Sequence, residues 1–218
     1  GPAALLNLRA VVCRPSKDPK ADLRKRASLL RTDSIHGAFN ATIEVDEDSL
    51  CLIANGNRIQ FIYAPHPAGI DYGAFGIKNA ILIDNTGVWS DEAGLGQHLS
   101  AKGVEKVLLT APAKGDVPNI VFGVNDEAIG DHSIVSAASC TTNASTPVLK
   151  VLDEAFGIEQ GHIETVHSFT NDQNLIDNFH KADRRGRSAA LNMVITSTGA
   201  AKAVAKAYPP LAGKLTGN

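Results

Sequence analysis

The sequence predicts an α/β fold, with a mostly parallel sheet covered by helices and a second region of different make-up after it. Three observations predict it. Apolar, β-branched runs recur along the first half without polar alternation, as in Leu8 to Cys13 and Ala80-Ile81-Leu82-Ile83-Asp84. Such runs belong to strands buried on both faces. Helical patterns separate several of them, as crossovers between parallel strands require. From Ser145 onward longer helical stretches and polar loops take over.

In chain order, Leu8 to Cys13 reads as a buried strand. Asp22 to Arg31 reads as a helix with Leu23, Ala27 and Leu30 on one face and Arg24, Lys25 and Arg31 on the other. Ala41 to Val45, Leu50 to Ala54 and Arg58 to Tyr63 read as strands. Asn55-Gly56 joins the last two as a hairpin, because a type I′ turn needs positive φ at both central residues. A strand at 80–84, a helix from Asp91 to about Ser100, and strands at 106–110, 119–122 and 133–138 follow. Parallel sheets bind ligands beyond the carboxyl ends of their strands. That gives weight to Arg14, Asn85-Thr86-Gly87, Thr110-Ala111-Pro112 and Ser139-Cys140.

The second region begins with a helix from Ser145 to Phe156, carrying Val148, Leu152 and Phe156 on one stripe and Gly157 as its stop. Pro147 fits only in an early turn of that helix. Gly161 to Phe169 reads as a strand ended by Thr170-Asn171-Asp172, and Asp183 to Arg187 as a polar loop. Thr198-Gly199 opens an alanine-rich helix, 200–208, that Pro209-Pro210 terminates.

Composition narrows the function classes. A net charge of −2 with no basic run gives no support for nucleic-acid binding. No apolar stretch approaches the roughly 20 residues that span a membrane, and no signal peptide is visible. Cys13, Cys51 and Cys140 lack metal-ligand spacing, so no metal is expected. An odd set of three suits a reducing cytoplasm. Gly1-Pro2-Ala3-Ala4 reads as a loop-like start and Thr216-Gly217-Asn218 closes no element, so the chain is expected to be an internal piece of a longer protein.

The chemistry centres on Ser139-Cys140-Thr141-Thr142-Asn143, with His167 downstream. Two readings stand for Cys140: a buried structural thiol, or a nucleophile at a helix N-terminus, where backbone N–H groups and an imidazole favour thiolate. The polar neighbours argue for the second, and a thiolate nucleophile implies covalent chemistry on a carbonyl. His167 is either a solvated or satisfied histidine or the base that partners Cys140. His36, His66, His98, His132, His162 and His180 have no comparable partner motif and read as solvated or structural. Thr198-Gly199 and the arginine cluster read either as a phosphate site or as an ordinary cap and a solvated basic loop. Asp172 is placed to pair with one arginine.

Ser139-Cys140-Thr141-Thr142-Asn143 resembles the active-site motif of the phosphorylating glyceraldehyde-3-phosphate dehydrogenases. Other segments resemble that family in order and spacing: 29–37, Asn85-Thr86-Gly87, Ala111-Pro112-Ala113-Lys114, Gly123-Val124-Asn125, 167–173, Asp183-Arg184-Arg185 and 197–202. The resemblance implies a partial Rossmann-like dinucleotide-binding domain over 1–139, lacking its first strand and glycine-rich turn, and the start of an α+β catalytic domain over 140–218. It implies Cys140 as nucleophile and His167 as base, acting through a hemithioacetal and a thioester that inorganic phosphate releases. Ser139, Thr141 and Thr198-Gly199 would bind the attacking phosphate. Thr170, Asp172 and Arg185 would line the site for the substrate's own phosphate. Thr86-Gly87 and Thr110 would line the cofactor cleft for NAD or NADP. The segment from about Phe169 to Ser188 would pack at the interface of a homotetramer and reach toward the cofactor.

The departures from the family carry expectations too. Its acidic residue at the end of the second strand aligns near Arg14, where an arginine can pair with a 2′-phosphate and so opens NADP or dual use. Pro15 and the lengthened Ser16 to Lys20 loop suggest a divergent branch. A family arginine for substrate phosphate would fall just beyond Asn218. The alternatives are the same chemistry on erythrose 4-phosphate, a cysteine hydrolase or acyl-transfer enzyme without nicotinamide, and an inert binding protein that kept the fold.

Overall fold

The computed structural model describes residues 6–218. The opening Gly1-Pro2-Ala3-Ala4 lies outside the described residues. In chain order the strands and α-helices are β1 Ala10–Cys13, α1 Pro19–Arg31, β2 Thr32–Asp33, β3 Gly37–Ala38, β4 Ile43–Asp46, β5 Cys51–Ala54, β6 Asn57–Tyr63, β7 Ala80–Asp84, α2 Glu92–Leu99, β8 Val104–Leu109, β9 Ile134–Ser136, α3 Cys140–Phe156, β10 Gly161–Ile163, α4 Ala200–Ala207 and β11 Leu215–Gly217. Two compact units result, one of residues up to Leu82 with Leu95–Val107, the other of Ile83–Gly94 with Leu108–Asn218.

In the first unit a four-stranded sheet runs β1-β6-β5-β4. β1 and β6 pair in parallel, Ala10 opposite Gln60 and Cys13 opposite Tyr63. The β6-β5 and β5-β4 pairs are antiparallel, so only one of this sheet's pairings has the expected parallel sense. Asn55 and Gly56 both have positive φ, 48° and 76°, which is the hairpin turn the sequence predicts. Helix α1 starts at Pro19, before the expected Asp22. Asp18 caps it by accepting from Ala21 N at 2.9 Å, and Pro19 occupies the first turn, where its missing N–H costs nothing. Leu23 and Ala27 pack into the core with Cys13, Leu52, Ile59 and Phe61, whereas Leu30 stays exposed.

A second sheet has the order β7-β8-β9. Ala80 N donates to Gly103 O at one end and Thr110 N to Asp84 O at the other, so β7 and β8 run in the same direction. Ile81 and Ile83 are exposed, so the expected cover on both faces is not present on this strand among the described residues.

Three further expectations are corrected. Residues 119–122 form no strand; a single bridge joins Asn119 to Ser136. Asn125 Oδ1 accepts from Val121 N, so a side chain takes a ladder donor of this segment. The strand expected from Gly161 to Phe169 spans Gly161–Ile163, paired with β11, and backbone hydrogen bonds of Ile163 and Thr165 with Asn218 follow it. Helix α3 begins at Cys140, not Ser145. Its buried residues are Thr142 and Thr146, while Val148, Leu152 and Phe156 are exposed. The Thr146 hydroxyl satisfies itself on the Thr142 carbonyl at 2.7 Å.

Candidate active site

The turn from β9 into α3 presents Cys140. Ala138 sits there at φ 57°, a left-handed conformation that few residues with a Cβ adopt. Ser139 follows in extended conformation and caps the helix, its Oγ accepting from Thr142 N at 3.1 Å. Asn143 Nδ2 donates to the carbonyls of Ala137 and Ser139 at 2.7 and 2.9 Å, tying the first helical turn to the approach. Cys140 is therefore the first helical residue and is exposed, whereas Cys13 and Cys51 are buried. The positive end of the helix faces its sulfur.

His167 Nε2 lies 3.3 Å from Cys140 Sγ. His167 Nδ1 lies 2.6 Å from the carbonyl oxygen of Ser168, which only accepts, so Nδ1 carries a proton. Nε2 is then the nitrogen that exchanges a proton with the thiol. The hydrogen bond from His167 holds the Cys140 thiol below its ordinary pKa; partial burial opposes this, and the Thr141 hydroxyl and N–H add to it. His167 is raised by the same hydrogen bond to Cys140 and then by the Ser168 carbonyl, while the Arg185 charge opposes its protonation. Both shifts favour a thiolate–imidazolium pair.

The expected anion-binding residues fall into two groups. A cavity of about 250 Å³ is lined in part by Ala138, Ser139, Thr142, Gly199 and Lys202, which brings Ser139 and Gly199 to one space. Thr141 Oγ1 lies 3.9 Å from the Cys140 sulfur. Thr198 Oγ1 accepts from Ala200 N at 3.2 Å at the start of α4. The second group joins Arg185 to Asp172 by an ion pair between Nη1 and Oδ2, and Arg185 Nε donates to Thr196 Oγ1 at 3.3 Å. Arg185 keeps the Asp172 carboxyl below the usual carboxylate range. Thr170 is adjacent, its Oγ1 accepting from Asp172 N at 3.4 Å.

His180, expected to be solvated or structural, has a largely buried ring, with Nε2 3.7 Å from the oxygen of Asp172 that Arg185 does not use. No local motif marks it; only the fold of the 172–185 loop brings the two together.

The residues expected at the cofactor lie just past the ends of strands. Asp84, 1% exposed, ends β7 and accepts from Thr86 N at 2.7 Å. Thr86 Oγ1 accepts from Val88 N, and Gly87 has φ 71°, so the chain turns away at the strand end and leaves Thr86 and Gly87 exposed. Thr110, at the end of β8, donates both N–H and Oγ1–H to the Asp84 carbonyl. In the first unit Arg14 follows the last residue of β1 and is exposed.

Parallel strand pairs, followed by a region bearing an exposed thiol beside an imidazole, define the class: an α/β protein with a thiol–imidazole site. Residues 11–92 match the family model of the glyceraldehyde 3-phosphate dehydrogenase NAD binding domain, and residues 139–218 that of the C-terminal domain. The chain is similar to a glyceraldehyde-3-phosphate dehydrogenase-like protein of Pseudomonas aeruginosa, 64% identical over 98% of this chain and 46% of that protein. It is also similar to the chloroplastic glyceraldehyde-3-phosphate dehydrogenase A of Zea mays, 45% identical over 89% of this chain and 48% of that protein. Glyceraldehyde-3-phosphate dehydrogenase 1 of Bacillus cereus is 42% identical over 90% of this chain and 58% of its own length. The chain belongs to the glyceraldehyde-3-phosphate dehydrogenase family. It spans about half the length of these curated relatives.

Proposed function

We propose that the protein oxidises glyceraldehyde 3-phosphate to 1,3-bisphosphoglycerate through a thioester on Cys140. The observation that carries this reading is the 3.3 Å approach of Cys140 Sγ to His167 Nε2, with the other ring nitrogen committed to Ser168. The thiolate adds to the aldehyde carbon, and the new oxygen is met by Nε2–H and by the N–H groups opening α3. A bound nicotinamide, NAD or NADP, supplies the hydride acceptor. As the C–H bond gives up hydride, Nε2 takes the hydroxyl proton and a thioester remains. A phosphate oxygen then bonds to the acyl carbon, the C–S bond breaks and Cys140 leaves as thiolate.

Ser139, Thr141, Thr198 and Gly199 hold the attacking phosphate in this reading, and Thr170 and Arg185 line the site for the substrate phosphate, with Asp172 acting through its ion pair with Arg185. Thr86, Gly87, Thr110 and Arg14 contact the dinucleotide. Residues 1–139 then form the dinucleotide-binding domain and 140–218 the first part of the catalytic domain. A homotetramer is supported by the apolar side chains that the 169–188 loop leaves exposed, Leu175, Ile176 and Phe179 among them. A cytoplasmic location is supported by the unpaired thiols; among the described residues no helix is long and apolar enough to cross a membrane.

The test is nicotinamide reduction by the intact protein, started with triose phosphate, with and without inorganic phosphate. Phosphate-dependent reduction is expected. Reduction indifferent to phosphate overturns the acyl-phosphate branch.

A further inference from the structure

Resting on that reading of Cys140, we propose that Ser136 is a positioning residue of the site: its hydroxyl holds Ala138 in the left-handed conformation from which the chain turns to offer Cys140 to His167. Ser136 is the last residue of β9 and is 0% exposed. Its Oγ accepts from Ala138 N at 2.9 Å. The same Oγ donates to the carbonyl of Ala111 at 2.6 Å and lies 3.0 Å from Asn119 Oδ1. Asn119 Oδ1 in turn accepts from Ala113 N at 2.9 Å.

The hydroxyl therefore ties two backbones together. On one side is Ala111, which follows Thr110 after β8. On the other is the turn that leads through Ser139 into Cys140. The left-handed region is unfavourable for alanine, whose Cβ crowds the following carbonyl, so Ala138 needs an external hold. Ser136 Oγ supplies it: a buried acceptor that Ala138 N reaches in this conformation, itself fixed by its bond to Ala111. Without that hold, Ala138 relaxes toward negative φ and the first turn of α3 swings. The 3.3 Å approach of Sγ to Nε2 then lengthens.

This account makes a signature that general destabilisation does not. Glycine reaches positive φ without the Cβ penalty, so Ala138→Gly should remove the need for Ser136. The experiment compares the intact wild-type protein with Ser136→Ala, Ala138→Gly and the double variant. The readouts are iodoacetamide alkylation of Cys140 against pH, followed on its peptide, and kcat and KM with triose phosphate. Ser136→Ala is expected to slow alkylation at neutral pH roughly tenfold, the scale of one lost buried hydrogen bond. Its alkylation midpoint should rise, and kcat should fall more than KM changes. Ala138→Gly alone should stay near wild type, and the double variant should recover most of the loss. If Ser136→Ala does not fold, the double variant must fold and alkylate as the wild type does.

An unchanged Ser136→Ala profile overturns the proposal. So does a double variant no better than Ser136→Ala, whether both fold or neither does. A wild-type protein whose Cys140 alkylates as an ordinary thiol overturns instead the reading on which the proposal rests, so the two failures are distinguishable.

Discussion

His167 donates through Nδ1 to the Ser168 carbonyl and aims Nε2 at Cys140 Sγ, 3.3 Å away. One bond fixes the tautomer and the other fixes the partner. The ring therefore can take a proton only at the nitrogen facing the sulfur, which is what a base for a thiol and later for a hemithioacetal hydroxyl requires.

Ser139 has a capping role separable from charge. Ser139→Ala removes the acceptor for Thr142 N and should lower unfolding stability by about 1 kcal/mol, read by urea denaturation. Ser139→Asp keeps a cap acceptor but places an anion beside the sulfur. It should hold stability near wild type yet raise the alkylation midpoint of Cys140. Equal midpoints in Ser139→Asp and wild type would contradict the electrostatic part of the account.

The Asp172–Arg185 pair should act on substrate affinity. Asp172→Asn frees the guanidinium from its anchor, and KM for the phosphorylated aldehyde should rise about tenfold with a smaller change in kcat, as for loss of a charge-assisted hydrogen bond. Steady-state kinetics check this. The pair also has a pH signature. The Asp172 carboxyl is depressed on folding, so its contribution to stability is present above the unfolded carboxylate value and is lost as pH falls through the lower folded value. Acid unfolding curves of wild type and Asp172→Asn should converge below that range.

Arg14 should bear on cofactor choice. It is an exposed cation directly after β1, where a carboxylate would instead hold ribose hydroxyls. Arg14→Asp should shift the ratio of kcat/KM for NADP over NAD toward NAD by about tenfold, comparable to one charged hydrogen bond. An unchanged ratio would remove Arg14 from the cofactor site.

The residues of this site were legible in the sequence to the extent that chemistry is local. Ser139 to Asn143 announce a thiol in a polar setting beside a helix, and Asn55-Gly56 announces its hairpin. Patterns that rely on apolar periodicity were less faithful. Helix α3 starts on a polar turn and buries Thr142 and Thr146, so its hydrophobic stripe marks the wrong residues and the wrong start. The first turn of α1 is likewise invisible to periodicity, because Asp18 and Pro19 define it through capping and a fixed φ. The 119–122 segment has strand-like composition, but the side chain of Asn125 takes its Val121 N–H. The contacts of His180 with Asp172 and of Ser136 with Ala138 arise only in the folded chain.

The most direct test of the central claim is the pH dependence of Cys140 alkylation in wild type and His167→Asn. The thiol is lowered and the imidazole raised by the same contact, so the reactive ion pair exists between the two shifted values. In the wild type, alkylation should already be fast at neutral pH, with its midpoint below that of an ordinary thiol at about 8.5. In His167→Asn the midpoint should move up to that of an ordinary thiol, and the neutral-pH rate should drop by at least about tenfold. Superimposable profiles for the two proteins would contradict the account.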